Sequence, residues 1–225
     1  MNIMRTLKFL LAALILAPSV VLAAEGAHLD RAPDRSGNNA ALQNGAKLFV
    51  NYCLSCHGAS AIRYNRLTEI GLKPEQIEQN LMFAAEKIGD PMAVAIHPAE
   101  AKKWFGVTPP DLSLVTRARA SESGSGADWV YTYLRSFYRD AERQTGWNNH
   151  VFANVGMPHI LFNLQESLSA AEYDEQVGDL VGFLTWLAEP EAEFRKRLGV
   201  GIFLFLIALF VVSYALKKEY WKDVH

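Results

Sequence analysis

The chain has 225 residues, half of them hydrophobic, and its 22 basic side chains against 24 acidic ones give a formal net charge of −2. That balance supplies no basic field for a phosphate backbone, so nucleic acid is excluded as a partner class. Two cysteines are too few for a disulfide framework. Once the apolar ends are set aside, the length leaves one domain's worth of chain.

Residues 1–24 begin with Met1 and Arg5, add Lys8, run apolar from Phe9 to Ala17 and leave through Val21-Leu22-Ala23. A basic start, a short apolar middle and a small-residue exit describe a secretory signal peptide cut after Ala23 or Ala24. The other reading is an uncleaved anchor, but about nine clean apolar residues fall short of the roughly 20 that a span needs. Cleavage removes Arg5 and Lys8 and no acid, so the exported body is more acidic than the whole chain.

Asn38 or Asn39 can cap a helix whose apolar face takes in Leu42, Ala46, Phe49 and Cys53. That helix delivers Cys53-Leu54-Ser55-Cys56-His57, which holds the only two cysteines. Two thiols at this spacing can each add to a vinyl group of one haem, while the next histidine reaches the iron: the pattern of c-type haem attachment. A thioredoxin-like dithiol would need a βαβ pattern, which is not visible. Zinc normally takes four protein ligands, and there is no second cysteine pair to supply them.

A second helix is expected from Pro74 to Ile88, with Ile77, Leu81, Ala84 and Ile88 on one face. Pro109-Pro110 rules out a continuous helix over Trp104–Arg119. Ser121–Gly126 reads as a flexible loop. Asp128 to Arg139 returns to helical pattern, with Val130, Tyr133, Leu134 and Phe137 facing inward. Gln144–Leu164 is rich in Gly, Asn, Pro and His and reads as a long irregular loop, which in a compact domain points to function. Ser169 with Glu172 forms a capping box that opens a helix with the stripe Val177, Leu180, Phe183, Leu184 and Leu187, closed by Pro190. After a short linker, Leu198–Leu216 carries no charge and is long enough to cross a bilayer. Tyr214, Tyr220 and Trp221 stand where interfacial aromatics belong. Basic residues flank both ends, so orientation follows from the signal peptide: the body is exported and the tail stays in the cytoplasm.

The fold class is therefore expected to be mainly α. A haem domain over residues 25–194 precedes a transmembrane anchor at 195–216 and a tail at 217–225. A His/Met haem carries electrons at raised potential, whereas an open sixth position suits ligand binding. Met82 adjoins an apolar helix face, Met92 follows Asp90-Pro91 in a turn, and Met157 sits between Gly156 and Pro158 in the long loop. Glycine permits close approach to a macrocycle and proline stiffens the strap, so Met157 leads, ahead of Met92 and of His150 and His159. From Gln144 to Phe194 there is no Lys or Arg but eight acids. They read as a solvated helix face or as a field that steers a basic partner.

The combination resembles the cytochrome c1 family, the haem-bearing, membrane-anchored subunits of ubiquinol–cytochrome c reductase (the cytochrome bc1 complex), over essentially the full length. The resemblance rests on CLSCHG at 53–58, RYNRL at 63–67, PPDLSL at 109–114, RAR at 117–119 and YTYLRSFYRD at 131–140. Met157-Pro158-His159, FLTWLAEP at 183–190 and the tail KKEYWKD at 217–223 complete it. It implies one covalent haem c anchored by Cys53 and Cys56, with His57 and Met157 as axial iron ligands. The Pro110 carbonyl would hold the far nitrogen of His57. Arg117 would pair with a haem propionate, an ordinary surface arginine being the alternative. The helix with Gly45 and Phe49 would cross the one carrying Trp186, as in cytochromes c. The implied partners are cytochrome b and the Rieske iron–sulfur subunit, a soluble c-type cytochrome, and the lipid bilayer of a bacterial cell membrane, in a dimeric parent complex. The extra disulfide of some bacterial relatives is absent, since no cysteine is spare.

Overall fold

In a computed structural model, residues 28–94 and 96–223 are described; the expected signal peptide lies outside them. Helix α1 spans Asn39–Leu48 because Asn38, extended at φ −112°, accepts the Ala41 N–H on its side chain at 3.1 Å. It runs without a break into a π-helical turn, Phe49–Cys53, closed by the Leu54 N–H on the Phe49 carbonyl at 3.0 Å. The last residue of that wider turn is the first cysteine, and π turns are frequent at functional positions.

The short strand β1 (Ala59–Arg63) leads into a 3-10 segment, Tyr64–Ile70, and helix α2 (Pro74–Asn80). This helix stops well before the expected Ile88. The Asp90 carboxylate accepts the N–H groups of Glu86 and Lys87 at 3.2 and 2.9 Å, which offers the backbone a turn in place of further helix. Ile77 and Leu81 are buried as the pattern requires, but Ala84 is exposed. Strand β2 (Pro91–Met92) pairs antiparallel with β1, Ala59 opposite Met92. Helix α3 (Pro98–Phe105) and the single turn α4 (Val115–Ala118) flank Pro109-Pro110, with no continuous helix between them.

Helix α5 (Gly126–Arg135) has its own capping box, Ser125 with Asp128. Before it, a pair of backbone bonds between Ser121 and Gly124, at 3.1 and 3.2 Å, closes the loop expected to be flexible. The helix ends four residues early, because Phe137–Arg139 forms strand β3 against β4 (Trp147–Asn149). The Arg139 guanidinium lies 3.9 Å over the Trp147 ring, a cation–π contact that helps hold the hairpin. The expected irregular loop thus contains a strand, and helix α6 (Phe162–Ser167) begins inside it.

Helix α7 (Ala170–Ala188) opens with the expected box: Glu172 accepts the Ser169 N–H at 2.9 Å, and the Ser169 hydroxyl accepts the Glu172 N–H at 3.4 Å. It crosses α1 so closely that a Cβ on Gly45 would lie 2.2 Å from the Asp179 carbonyl oxygen and 2.6 Å from Phe183 Cβ. Asn44 donates to Asp179 and Gln176 across the crossing, both at 2.9 Å, and Phe49 meets Phe183 with ring centroids 5.8 Å apart. Leu42, Phe49, Tyr64, Leu67, Ile77, Met92, Leu180 and Phe183 fill the core around this contact. After Pro190 the chain turns once and enters α8 (Ala192–Tyr220), which contains the expected span at 195–216. Helix α8 is long and apolar enough to cross a membrane, and none of its most apolar stretch is buried by the rest of the chain.

Candidate functional site

Both cysteines are free thiols, Cys53 buried and Cys56 half-buried. The turn that carries them is closed by the Cys56 and His57 N–H groups on the Cys53 carbonyl, at 3.0 and 2.8 Å. Burial, with a smaller push from Cys56, raises the Cys53 thiol to about 12. It therefore stays protonated and unreactive in the folded polypeptide.

His57 Nδ1 lies 2.7 Å from the Pro110 carbonyl oxygen. A carbonyl can only accept, so Nδ1 carries the hydrogen, which in the neutral ring leaves Nε2 as the nitrogen able to act as a ligand. The strap that presents this carbonyl is fixed by Asp111. One carboxylate oxygen accepts the Ser60 N–H at 2.9 Å and the Ser60 hydroxyl at 2.7 Å; the other accepts the Ser113 N–H at 2.8 Å. The Leu112 N–H adds a bond to the Gly58 carbonyl at 2.7 Å. Burial works to raise the Asp111 carboxyl, but the Ser113 and Ser60 hydrogen bonds outweigh it and hold the group below the usual carboxylate range. The anion is thus present at neutral pH to brace the loop.

Met157 belongs to a second strap, held by asparagines rather than by regular structure. Buried Asn149 donates to the Tyr133 carbonyl at 2.7 Å and accepts the N–H groups of Val151 and Phe152 at 2.9 and 3.1 Å. Asn148 accepts the Asn154 N–H at 2.8 Å, and Arg143 grips the Asn154 carbonyl at 2.8 Å. Asn154 has φ +60°, a left-handed conformation that asparagine tolerates better than most residues. The Tyr133 hydroxyl donates to Met157 Sδ at 3.4 Å. Burial pushes this phenol up to about 12 against the opposing charge of Arg119, so the hydroxyl keeps its proton. The two straps are joined through the helices: α4 follows the Pro110 strap, and Gly126 at the start of α5 sits where a Cβ would lie 2.0 Å from the Thr116 carbonyl.

The other candidates lie elsewhere. Met92 is fully buried in the core, and Met82 packs partly buried against it. His159 stacks on Phe137 at 4.9 Å and bonds Gln165 at 2.6 Å, while burial lowers its pKa; it is a neutral packing residue. His150 stacks on Tyr138. The Arg117 side chain meets Glu189 at 3.2 Å, and its backbone N–H donates to the Leu114 carbonyl at 3.0 Å. The acidic run is largely neutralised by cations from elsewhere in the chain. Asp174 pairs with Arg135, Glu175 and Asp179 with Arg35, Glu189 with Arg117 and Arg195, Glu191 with Arg66 and Glu193 with Lys196. Sequence reasoning missed Asn148 and Asn149; their adjacency, inside a segment already marked as a functional loop, was the available signal.

The donor set fits an iron porphyrin: two unpaired thiols, an imidazole held through Nδ1, and a thioether on a braced strap. Among the described residues no three His, Cys, Asp or Glu side chains gather as a metal cluster. These features define a class: a mainly helical, cytochrome c-like haem domain followed by one helix able to span a membrane. The Cytochrome C1 family model matches residues 32–224. A protein named cytochrome c1 from Allochromatium vinosum is 44% identical, covering 94% of this chain and 96% of its own length. One named ammonia monooxygenase gamma subunit from Nitrosomonas europaea is also 44% identical, covering 99% and 100%. A mitochondrial cytochrome c1 of Solanum tuberosum is 30% identical, covering 80% and 78%. The chain belongs to the cytochrome c1 family. It is accordingly a haem-containing electron-transfer subunit of the bc1 complex.

Proposed function

We propose that the chain relays single electrons from the Rieske iron–sulfur protein to a soluble c-type cytochrome, with cytochrome b as its neighbour in a dimeric complex of a bacterial cell membrane. Cys53 and Cys56 would hold the haem covalently and His57 and Met157 would ligate its iron, and the group would supply a one-electron couple. Pro110 fixes the imidazole so that Nε2 is presented in one orientation. Arg117 serves a propionate by giving up Glu189, its partner here. The haem domain lies in the periplasm, the tail at 217–225 in the cytoplasm. Leu114, Phe152 and Ile160, apolar and exposed in or beside the two straps, suit contact with an apolar macrocycle.

The observation that carries this reading is the imidazole pinned at 2.7 Å, directly after two free thiols. The test is a reduced-minus-oxidised spectrum of Met157→Leu beside Met92→Leu. Only the first should lose the low-spin, high-potential signature; loss in the second instead overturns the ligand assignment. The name of the Nitrosomonas relative favours a second reading, a haem subunit of another membrane oxidoreductase. Mild-detergent purification decides: cytochrome b and a Rieske protein accompany the chain in the first case and not in the second.

A further inference from the structure

A hydroxyl on an inward-facing helical position needs a reason. Phe or Leu would satisfy the packing around residue 133 without bringing in a polar group that must be paired. The Tyr133 ring is gripped on two sides. Trp129 stacks on it at 5.0 Å with an interplanar angle of 11°, and Phe137 meets it edge-on at 5.1 Å. The ring therefore cannot swing, and the hydroxyl is aimed. Among the described residues its one partner is Met157 Sδ, at 3.4 Å.

The same residue also anchors the start of the strap, because its carbonyl accepts from Asn149 at 2.7 Å. Tyr133 thus holds both ends of the Asn149–Met157 segment, the backbone at one end and the sulfur at the other. This fixes the distance between α5 and the thioether without any regular structure in the strap.

We propose that Tyr133 is a tuning and positioning residue for the Met157 thioether, its hydroxyl donating a hydrogen bond to the sulfur and thereby setting the reduction potential of the haem iron. The inference rests on the reading of Met157 as an axial ligand. A hydrogen bond at sulfur draws electron density from the lone pairs. A poorer donor stabilises the ferric ion less than the ferrous one, so the contact raises the potential.

The test is a redox titration of the full-length, haem-loaded protein in detergent, comparing Tyr133→Phe, Tyr138→Phe and Met157→Leu with the double variant Tyr133→Phe/Met157→Leu. Tyr133→Phe keeps the stacked ring and deletes only the donor. It should lower the ferrous-to-ferric ratio at fixed poise by up to tenfold, about 59 mV for a one-electron couple. It should also shift the sulfur-to-iron charge-transfer band. Tyr138→Phe, a change at an exposed tyrosine, should titrate as wild type. In the Met157→Leu background the Tyr133→Phe effect should vanish, since the route through sulfur is gone.

An unchanged potential in Tyr133→Phe overturns the proposal. So does an equal shift with and without Met157, which would mark a through-space dipole effect rather than a bond to sulfur. If Met157→Leu retains the methionine-ligated spectrum, the underlying ligand assignment fails instead, and the two failures are told apart.

Discussion

The α1–α7 crossing decides the direction from which Cys53 and His57 arrive, and Gly45 is where it can be probed. In Gly45→Ala the new Cβ would stand 2.2 Å from the Asp179 carbonyl oxygen and 2.6 Å from Phe183 Cβ. Neither obstacle is a flexible side-chain tip, so the helices must part. Helix propensity favours alanine by about 1 kcal/mol, while overpacking of this kind costs about 1–3 kcal/mol and occasionally more. With backbone and a Cβ both in the way, the upper end applies, and the net loss should be about 2 kcal/mol, some 30-fold in the folded ratio. For a body of this size that corresponds to a fall of roughly 4–8 °C in Tm. Parting the helices would also loosen the 5.8 Å Phe49–Phe183 contact beneath the haem motif. The assay is thermal unfolding of the detergent-solubilised protein by circular dichroism, followed in parallel at the haem Soret band. Gly37→Ala, where a Cβ would meet nothing within 4 Å, is the control and should be neutral or slightly stabilising. A Gly45→Ala protein as stable as the control would mean that the helices separate freely and that the crossing does not fix the motif.

Three further outcomes follow from the geometry. Asn149→Ala leaves the Tyr133 carbonyl and the Val151 and Phe152 N–H groups without their partner; at about 1–3 kcal/mol for an unmet buried group, limited proteolysis should nick residues 150–157 before any other site in the body. Hydrogen bonds from Ser125 and from the Ala32 N–H, working against burial, depress the Asp128 carboxyl. Its stabilisation is therefore complete above the unfolded value of about 3.9 and is lost as pH falls through the lower folded value, so Asp128→Asn should flatten that acid limb in urea titrations. In the folded polypeptide before haem loading, iodoacetamide should label Cys56 well ahead of Cys53. A thiol at about 12 offers roughly 10³-fold less thiolate than an ordinary cysteine, and equal labelling would show that the π turn is open.

How much of this was legible depended on the range of the interaction that decides each feature. The caps at Asn38 and Ser169 could be read because a side chain and the N–H it satisfies lie three residues apart, and both helices start where the pattern says. The Cys-x-x-Cys-His turn was equally local. Helix α2 failed at its far end, since apolar spacing continues to Ile88 while Asp90 captures the backbone from beyond it. The β3–β4 hairpin was invisible for a different reason. Its strands are three residues each, and what stabilises them is a cross-strand Arg139–Trp147 stack that no periodicity records.

The acidic run shows the same limit for electrostatics. Counted along the chain it is an unbroken field, but its partners Arg35, Arg66 and Arg117 come from segments far away in sequence, and folding turns most of it into ion pairs. Exposed pairs of this kind contribute little to stability, yet they cancel the long-range potential that steering requires. Docking of a soluble cytochrome should therefore depend on ionic strength less steeply than the bare sequence implies. Electron-transfer rates that fell steeply between low and physiological salt would place the steering charge outside this run. The same lesson applies to the candidate site: Cys53, Cys56 and His57 stood out by spacing and Met157 by its Gly156 and Pro158 neighbours, whereas the bonds made by Pro110, Tyr133 and Asn149 act across 53, 24 and 16 positions.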